Sequence, residues 1–326
     1  MQLVLDTPGL HLSRKEKVFH LKIGDKSKTI SPAKLSSIAI TTDITITSGA
    51  ISLSLKHQIP ILIFDRIGKA KARLWSPYFE SIATLRRMQA RFTEHPESTV
   101  WMIALFELKS QGQMDNLKAL NQRKLFFKSE LEAAIDAIQR HQREFEAFGE
   151  QIPDECRQQM MGVEGNIARI YWQALGNALP AAYRFQNRSK RPARDNFNAA
   201  INYLYGMLYS VVEGALFAAG LDPHMGIFHA DEYNKPTLAF DLIEPFRPWM
   251  DRLLINQCLQ EKLSDAFFTQ NQYGLFLNKE GKAFIIPLFN DFLRSNRKFA
   301  NQETTVKNQI YAMASRLSQR IRSTMS

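Results

Sequence analysis

The amino-acid sequence predicts an α+β chain: a small N-terminal β-sandwich-like domain followed by a large all-α domain. Three observations carry this. Short β-rich runs punctuated by glycine turns fill the first part. Long stretches of 3.6-residue apolar periodicity fill the rest. The pattern changes at Trp75-Ser76-Pro77, which places the domains at 1–76 and 77–326.

In the first domain, strands are expected at Val18 to Ile23, Ile38 to Ile46 and Ile59 to Phe64, with turns at Gly24-Asp25, Gly49 and Gly68-Lys69. One helix interrupts them. Ser48 is placed to cap it, Ile51, Leu53 and Leu55 supply its apolar positions, and His57 near its end suits the helix dipole. Helices are then expected over Tyr78 to Phe92, from Pro96 as a first helical residue, and through Leu117 to Phe148. Further helices are expected over Pro153 to Leu175, Asn196 to Ala219, Leu238 to Lys262 and Phe289 to Ile321. No internal repeat and no low-complexity linker is present.

Composition narrows the function classes. The 326 residues are 45% hydrophobic and 23% charged, as in globular proteins and unlike disordered ones. No run approaches the roughly 18 apolar residues of a membrane span, and MQLVLDTPGL lacks the basic-then-apolar order of a secretion signal. Cys156 and Cys258 are too few for a disulfide framework or a cysteine zinc site, so a cytoplasmic location is expected. The net charge of +10 favours a polyanionic partner such as nucleic acid.

Carboxylates collect at two places. Met160, Met161, Ile167, Ala168, Tyr171 and Leu175 describe one apolar helix face, and Glu164 falls on it. A carboxylate there must be paired, protonated or metal-bound, because burying it alone costs several kcal/mol. Both an internal salt bridge to an arginine and a metal satisfy that requirement. Gly162 and Gly165 weaken the helix, which makes sense where another backbone or a ligand comes close. Farther along, Asp241 and Glu244 are three apart and repel unless a cation intervenes or one is bonded elsewhere. His229 follows a turn-rich stretch that can present a side chain. Carboxylates with a single imidazole suit Mg²⁺ or Mn²⁺ rather than structural zinc.

Beside basic residues, such an ion suggests phosphodiester chemistry. Arg184, Arg188, Lys190, Arg191 and Arg194 crowd one linker, and Lys235 lies between His229 and Asp241. The last helix carries Arg294, Arg297, Lys298, Lys307, Arg316, Arg320 and Arg322. Arg316 and Arg320 repel at i,i+4, which a bound phosphate relieves, although a solvated basic face has the same composition.

Several of these segments together resemble one family. They are Gly162-Val163-Glu164-Gly165 with Tyr171, Arg191-Pro192 with Asn198, Gly220-Leu221-Asp222-Pro223, Gly226-Ile227-Phe228-His229, and Asp241-Leu242-Ile243-Glu244-Pro245-Phe246-Arg247-Pro248. In order and spacing, across essentially the whole chain, they are similar to the CRISPR adaptation integrases, CRISPR-associated protein one. The resemblance implies that Glu164, His229 and Glu244 bind the metal, with Asp241 an adjacent acid in or next to the coordination sphere. It places Tyr209 near the active site and Arg247 and Lys235 near DNA. Many members have aspartate where this chain has Glu244, a difference that bears on ion preference. It further implies a homodimer through the β domain, a small dimeric partner (CRISPR-associated protein two), and joining of the 3′-hydroxyl ends of a short DNA duplex to the CRISPR repeat. Two other readings stay open on the residues alone: a metal-dependent repair nuclease acting on branched DNA, and a non-catalytic DNA-binding scaffold.

Overall fold

A computed structural model describes residues 2–35, 37–64, 70–74, 83–122, 127–229, 235–299 and 302–326. The chain divides into two compact units, Met1–Ser81 and Ile82–Ser326. The turn expected at Gly68-Lys69, the boundary at Trp75-Ser76-Pro77 and the start of the helix expected from Tyr78 lie outside the described residues.

The first unit holds β1 (Gln2–Leu5), β2 (His11–Lys15), β3 (Val18–Ile23), β4 (Lys26–Ile30), β5 (Ser37–Ile40), β6 (Thr45–Ile46), helix α1 (Ser48–Lys56), β7 (Ile61–Phe64) and β8 (Ala70–Leu74). They form two four-stranded sheets, ordered β1-β5-β7-β8 and β4-β3-β2-β6. In the first sheet β5 pairs parallel with both β1 and β7, and it is buried at every position, as a central parallel strand must be. Leu12, Phe19 and Ile30 from one sheet meet Leu5, Ile38 and Ile61 from the other in a single core. The run expected from Ile38 to Ile46 is split, with β5 and β6 in different sheets. The helix is capped by Thr47, not Ser48; its hydroxyl accepts the Ala50 N–H at 3.2 Å.

The second unit is built from α2 (Ala83–Phe92), α3 (Pro96–Asn121), α4 (Lys128–Arg143), α5 (Pro153–Ala178), α6 (Asn196–Ala218), α7 (Thr237–Leu242), α8 (Arg247–Leu259), hairpin β9 (Phe268–Asn271) and β10 (Gly274–Leu277), α9 (Lys279–Arg294), hairpin β11 (Asn296–Phe299) and β12 (Gln302–Thr305), and α10 (Val306–Met325). Pro96 opens α3, and the Asp195 carboxylate caps α6 by accepting the Asn198 N–H at 2.7 Å. Helix α6 is buried along nearly its whole length and runs through the core. No helix among the described residues is long and apolar enough to cross a membrane.

Two expected helices are broken. The segment Leu238 to Lys262 becomes α7, a 3-10 turn at Glu244–Phe246 and α8, because Pro245 cannot supply the N–H that would continue the ladder. The segment Phe289 to Ile321 becomes α9, the β11–β12 hairpin and α10. Arg297 and Lys298 therefore sit on a strand and not on one helix with Arg316 and Arg320 of α10. The β9–β10 hairpin is absent from the sequence reading altogether.

Candidate active site

Helices α3, α5 and α6 and the Glu244–Phe246 turn surround a pocket of about 380 Å³. Its lining includes Lys109, Glu164, Arg169, Trp172, Arg188, Lys190, His229, Glu244 and Arg247. Glu164 thus faces one cavity with His229, Glu244 and Arg247, which come from much later in the chain.

At the centre is Lys109 of α3. Its ammonium nitrogen lies 2.5 Å from Glu164 Oε1 and 2.5 Å from Glu244 Oε2. Glu164 is half-buried at the edge of the apolar face of α5, whereas Glu244 is buried. The internal partner of Glu164 is a lysine, where the sequence suggested an arginine or a metal. Gly162 and Gly165 face open space and admit no neighbouring backbone, and Met161 is exposed.

Glu244 also meets Arg247 one turn later, with Nε 3.1 Å from Oε1. Burial opposes ionisation of Glu244, but Arg247 and then Lys109 outweigh it and bring its pKa down to about 2. Burial likewise disfavours the charges of Arg247 and Lys109, and the carboxylates outweigh it, holding both pKa values above their ordinary ones. Glu244 Oε2 and Arg247 Nε are buried without a well-directed hydrogen bond, so these contacts are Coulombic more than directional.

Tyr209 does not line the pocket. Its hydroxyl accepts from Arg247 Nη2 at 2.7 Å, and its ring packs edge-on against Phe240. Arg247 also lies over the Tyr205 ring, 5.0 Å from its centroid. Beneath, the buried Asp251 accepts hydrogen bonds from Tyr205 at 2.6 Å and Tyr171 at 3.0 Å, and Asn116 donates to the Tyr171 hydroxyl at 3.1 Å. This polar floor fixes the arginine's direction.

Of the alternatives the sequence leaves open for Asp241, the structure shows hydrogen bonding away from Glu244. Its Oδ2 accepts the N–H groups of Ile227 at 2.7 Å and Phe228 at 3.1 Å. Its Oδ1 accepts the His229 N–H at 3.1 Å and meets His229 Nδ1 at 2.7 Å. With both oxygens engaged and no exposure, Asp241 builds the turn that carries His229 and fixes its ring. An ionised carboxylate only accepts, so Nδ1 is the donor and the neutral ring keeps its lone pair on Nε2, which makes no hydrogen bond among the described residues.

The linker between α5 and α6 contributes unequally. Asn198 and Asn202 of α6 accept from Arg188 at 2.9 and 2.6 Å, and Asn202 donates to the Lys190 carbonyl at 2.6 Å. Those bonds hold Arg188 and Lys190 at the pocket, while Arg191 and Arg194 are exposed outside its lining, as is Lys235. Arg320 pairs with Glu97, its Nε 2.8 Å from Oε1, and Arg316 on the same helix is exposed.

Lys109, Trp172 and the Asp251 floor are absent from the sequence reading. A signal existed for Lys109: it falls in helical register with the buried Met102, Leu105, Gln113 and Asn116, where a lysine demands a carboxylate partner.

The donor set suits a hard divalent ion: two carboxylates, one with an oxygen lacking a directed bond, and an imidazole with Nε2 uncommitted. Among the described residues no three of His, Cys, Asp and Glu are already gathered tightly enough to hold one, and Lys109 stands between the two carboxylates instead.

Known proteins resemble this chain in sequence and in fold. The CRISPR-associated endonuclease Cas1 1 of Archaeoglobus fulgidus is 27% identical over 273 residues, covering 78% of this chain and 77% of its own. A CAS1 protein from Thermotoga maritima shares the fold with a TM-score of 0.82 at 21% identity, covering 98% of this chain and 96% of its own. A casposase bound to integration product matches with a TM-score of 0.78 at 23% identity, over 99% of this chain and 91% of its own. A chain of a Cas6-RT-Cas1–Cas2 complex matches with a TM-score of 0.79 at 23% identity, over 99% of this chain and 35% of its own. The family model for CRISPR associated protein Cas1 matches residues 3–291, which span both units and every pocket residue named above, and the chain accordingly belongs to the Cas1 family.

Proposed function

We propose that this protein is the divalent-metal-dependent DNA integrase and endonuclease of CRISPR spacer acquisition, with Glu164, His229 and Glu244 as the ligands of Mg²⁺ or Mn²⁺. The observation that carries the reading is one pocket in which those three side chains face Arg188, Lys190 and Arg247. Carboxylates with one imidazole take a hard cation, and the surrounding cations take phosphate oxygens. The relatives support the substrate class: one is named an endonuclease, and a protein of the same fold is described bound to an integration product.

In the proposed reaction a 3′-hydroxyl of a short duplex attacks a phosphodiester of the repeat. A new P–O bond forms, the old one breaks, and the leaving strand keeps a 3′-hydroxyl, so one ester replaces another. A bound divalent ion supplies Lewis-acid stabilisation of the charged phosphorus centre. Arg247, braced by Tyr209 and Tyr205, and Arg188, braced by Asn198 and Asn202, orient the phosphate before reaction, which is worth most in a pocket that sheds water. Asp241 keeps His229 in the tautomer whose Nε2 faces a ligand. Exposed Arg191, Arg194, Lys235 and Arg316 are proposed to extend the DNA track, with Arg320 left to its pair with Glu97.

We further infer a cytoplasmic homodimer formed through the β unit and bridged by CRISPR-associated protein two, in line with the Cas1–Cas2 complex whose chain shares this fold. The test is strand joining with a repeat-bearing plasmid, a short duplex, the partner and Mg²⁺ or Mn²⁺. Glu164→Ala, His229→Ala and Glu244→Ala are each expected to abolish joining in a folded protein, and chelation to stop it. Cut plasmid with no joined product identifies water as the nucleophile and makes the protein a nuclease alone.

A further inference from the structure

Glu164 and Glu244 come from elements 80 residues apart, yet one ammonium lies 2.5 Å from a carboxylate oxygen of each. Lys109 is the one buried lysine among the described residues, and burying a flexible, strongly hydrated cation is costly unless its partners are close. Among the described residues it is the one cation within ion-pair distance of Glu164, whereas Glu244 also has Arg247. An ammonium and a divalent ion cannot share this position, because each would meet the other's charge at bonding distance in a poorly screened site. Lys109 also borders the pocket, beside Gln113, so its four-carbon arm has somewhere polar to go.

Resting on the metal reading above, we propose that Lys109 is a built-in counter-cation: it holds Glu164 and Glu244 together in the metal-free protein and is exchanged for the divalent ion. The exchange has two consequences. The carboxylates stay facing one another before metal arrives, and metal binding is weakened by the strength of the ion pairs it must break. After exchange the freed ammonium joins Arg188, Lys190 and Arg247 at the pocket wall, where it meets a phosphate. A lysine serving only the fold predicts none of the coupling to metal.

The test is Mn²⁺ titration of the metal-free chain, read as free Mn²⁺ by electron paramagnetic resonance, with melting temperatures measured alongside. Lys109→Met and Lys109→Gln are expected to bind Mn²⁺ at least about tenfold more tightly than wild type. Without metal they melt lower than wild type, and Mn²⁺ raises their melting temperature further. Unchanged or weaker Mn²⁺ affinity in both, with binding lost in Glu164→Gln, overturns the exchange while the metal reading stands. If neither wild type nor any variant binds Mn²⁺, both fall. Should the lysine variants fail to fold, nitrogen-15 NMR of the wild-type lysine ammoniums decides. One slowly exchanging signal in metal-free protein, lost on adding Mg²⁺, supports exchange; no such signal, or one that saturating Mg²⁺ leaves unchanged, overturns it.

Discussion

Beneath Arg247, the carboxylate of Asp251 is fully buried and answers to two tyrosine hydroxyls instead of a contacting cation. Burial is the largest effect on it and lifts its pKa from 3.8 to about 6, against the smaller opposite pull of the two hydroxyls. The folded state therefore holds this proton more tightly than the unfolded chain does. That contribution to stability is fully present below pH 3.8 and is lost as the pH rises through about 6. The shift corresponds to about 3 kcal/mol. Urea unfolding between pH 4 and 7 is expected to show wild type losing stability relative to Asp251→Asn as pH rises; parallel curves would show that Asp251 is already ionised in the folded protein at pH 4. The same residue illustrates what one-dimensional reading misses. Asp251 sits in an ordinary helical stretch, and only the approach of α5 and α6 makes its tyrosine partners visible.

At the scale of elements, the turn from Gly226 to His229 governs where the imidazole stands. A Cβ at Gly226 would lie 2.4 Å from the His229 carbonyl oxygen and 2.7 Å from Thr237 Oγ1, so no larger residue fits without opening the turn. Gly226→Ala is expected to leave helix content unchanged but weaken Mn²⁺ binding by about 10–100-fold, as for loss of a residue that orients a ligand. Gly162→Ala on α5 is the contrasting case. Nothing lies within 4 Å of its Cβ, so helix propensity alone acts and stability is expected to rise by about 0.8–1 kcal/mol with binding intact. Circular dichroism, urea unfolding and Mn²⁺ titration check both. The turn was legible as a turn from its glycines and proline, but its crowding was not, because Thr237 comes from beyond the segment.

For the whole molecule, the two units differ in self-sufficiency. Among its described residues the β unit has a core of eleven buried apolar side chains, and a domain near its size buries only about 60% of its unfolded surface. Its β4 edge is guarded by Lys26 and Lys28, whereas Leu74 on β8, the edge of the other sheet, is exposed. Pairing with a second copy hides such a surface, consistent with the proposed dimer. The full chain is expected to sediment as a dimer, and a chain beginning at Ala83 as a folded monomer that still binds Mn²⁺. A dimer from the shortened chain would assign the interface to the helices.

Local chemistry determined a good part of this protein in one dimension. Pro96 and Asn196 start helices because an imino ring and an aspartate cap act within a turn, and Val18–Ile23 forms a strand as its β-rich run predicts. The grouping of Glu164, His229 and Glu244, with Arg247 nearby, was implied by the resemblance of their motif segments to one family, while local chemistry left a salt bridge for Glu164 equally open. Tertiary structure decided the remainder: that Asp241 builds the His229 turn, that Arg320 is matched by Glu97, that two long periodic stretches break into shorter elements, and that Lys109 stands between the two glutamates. Each of those outcomes depends on the charge, or the lack of space, presented by residues distant in the chain, and periodicity carries no information about what an element will face.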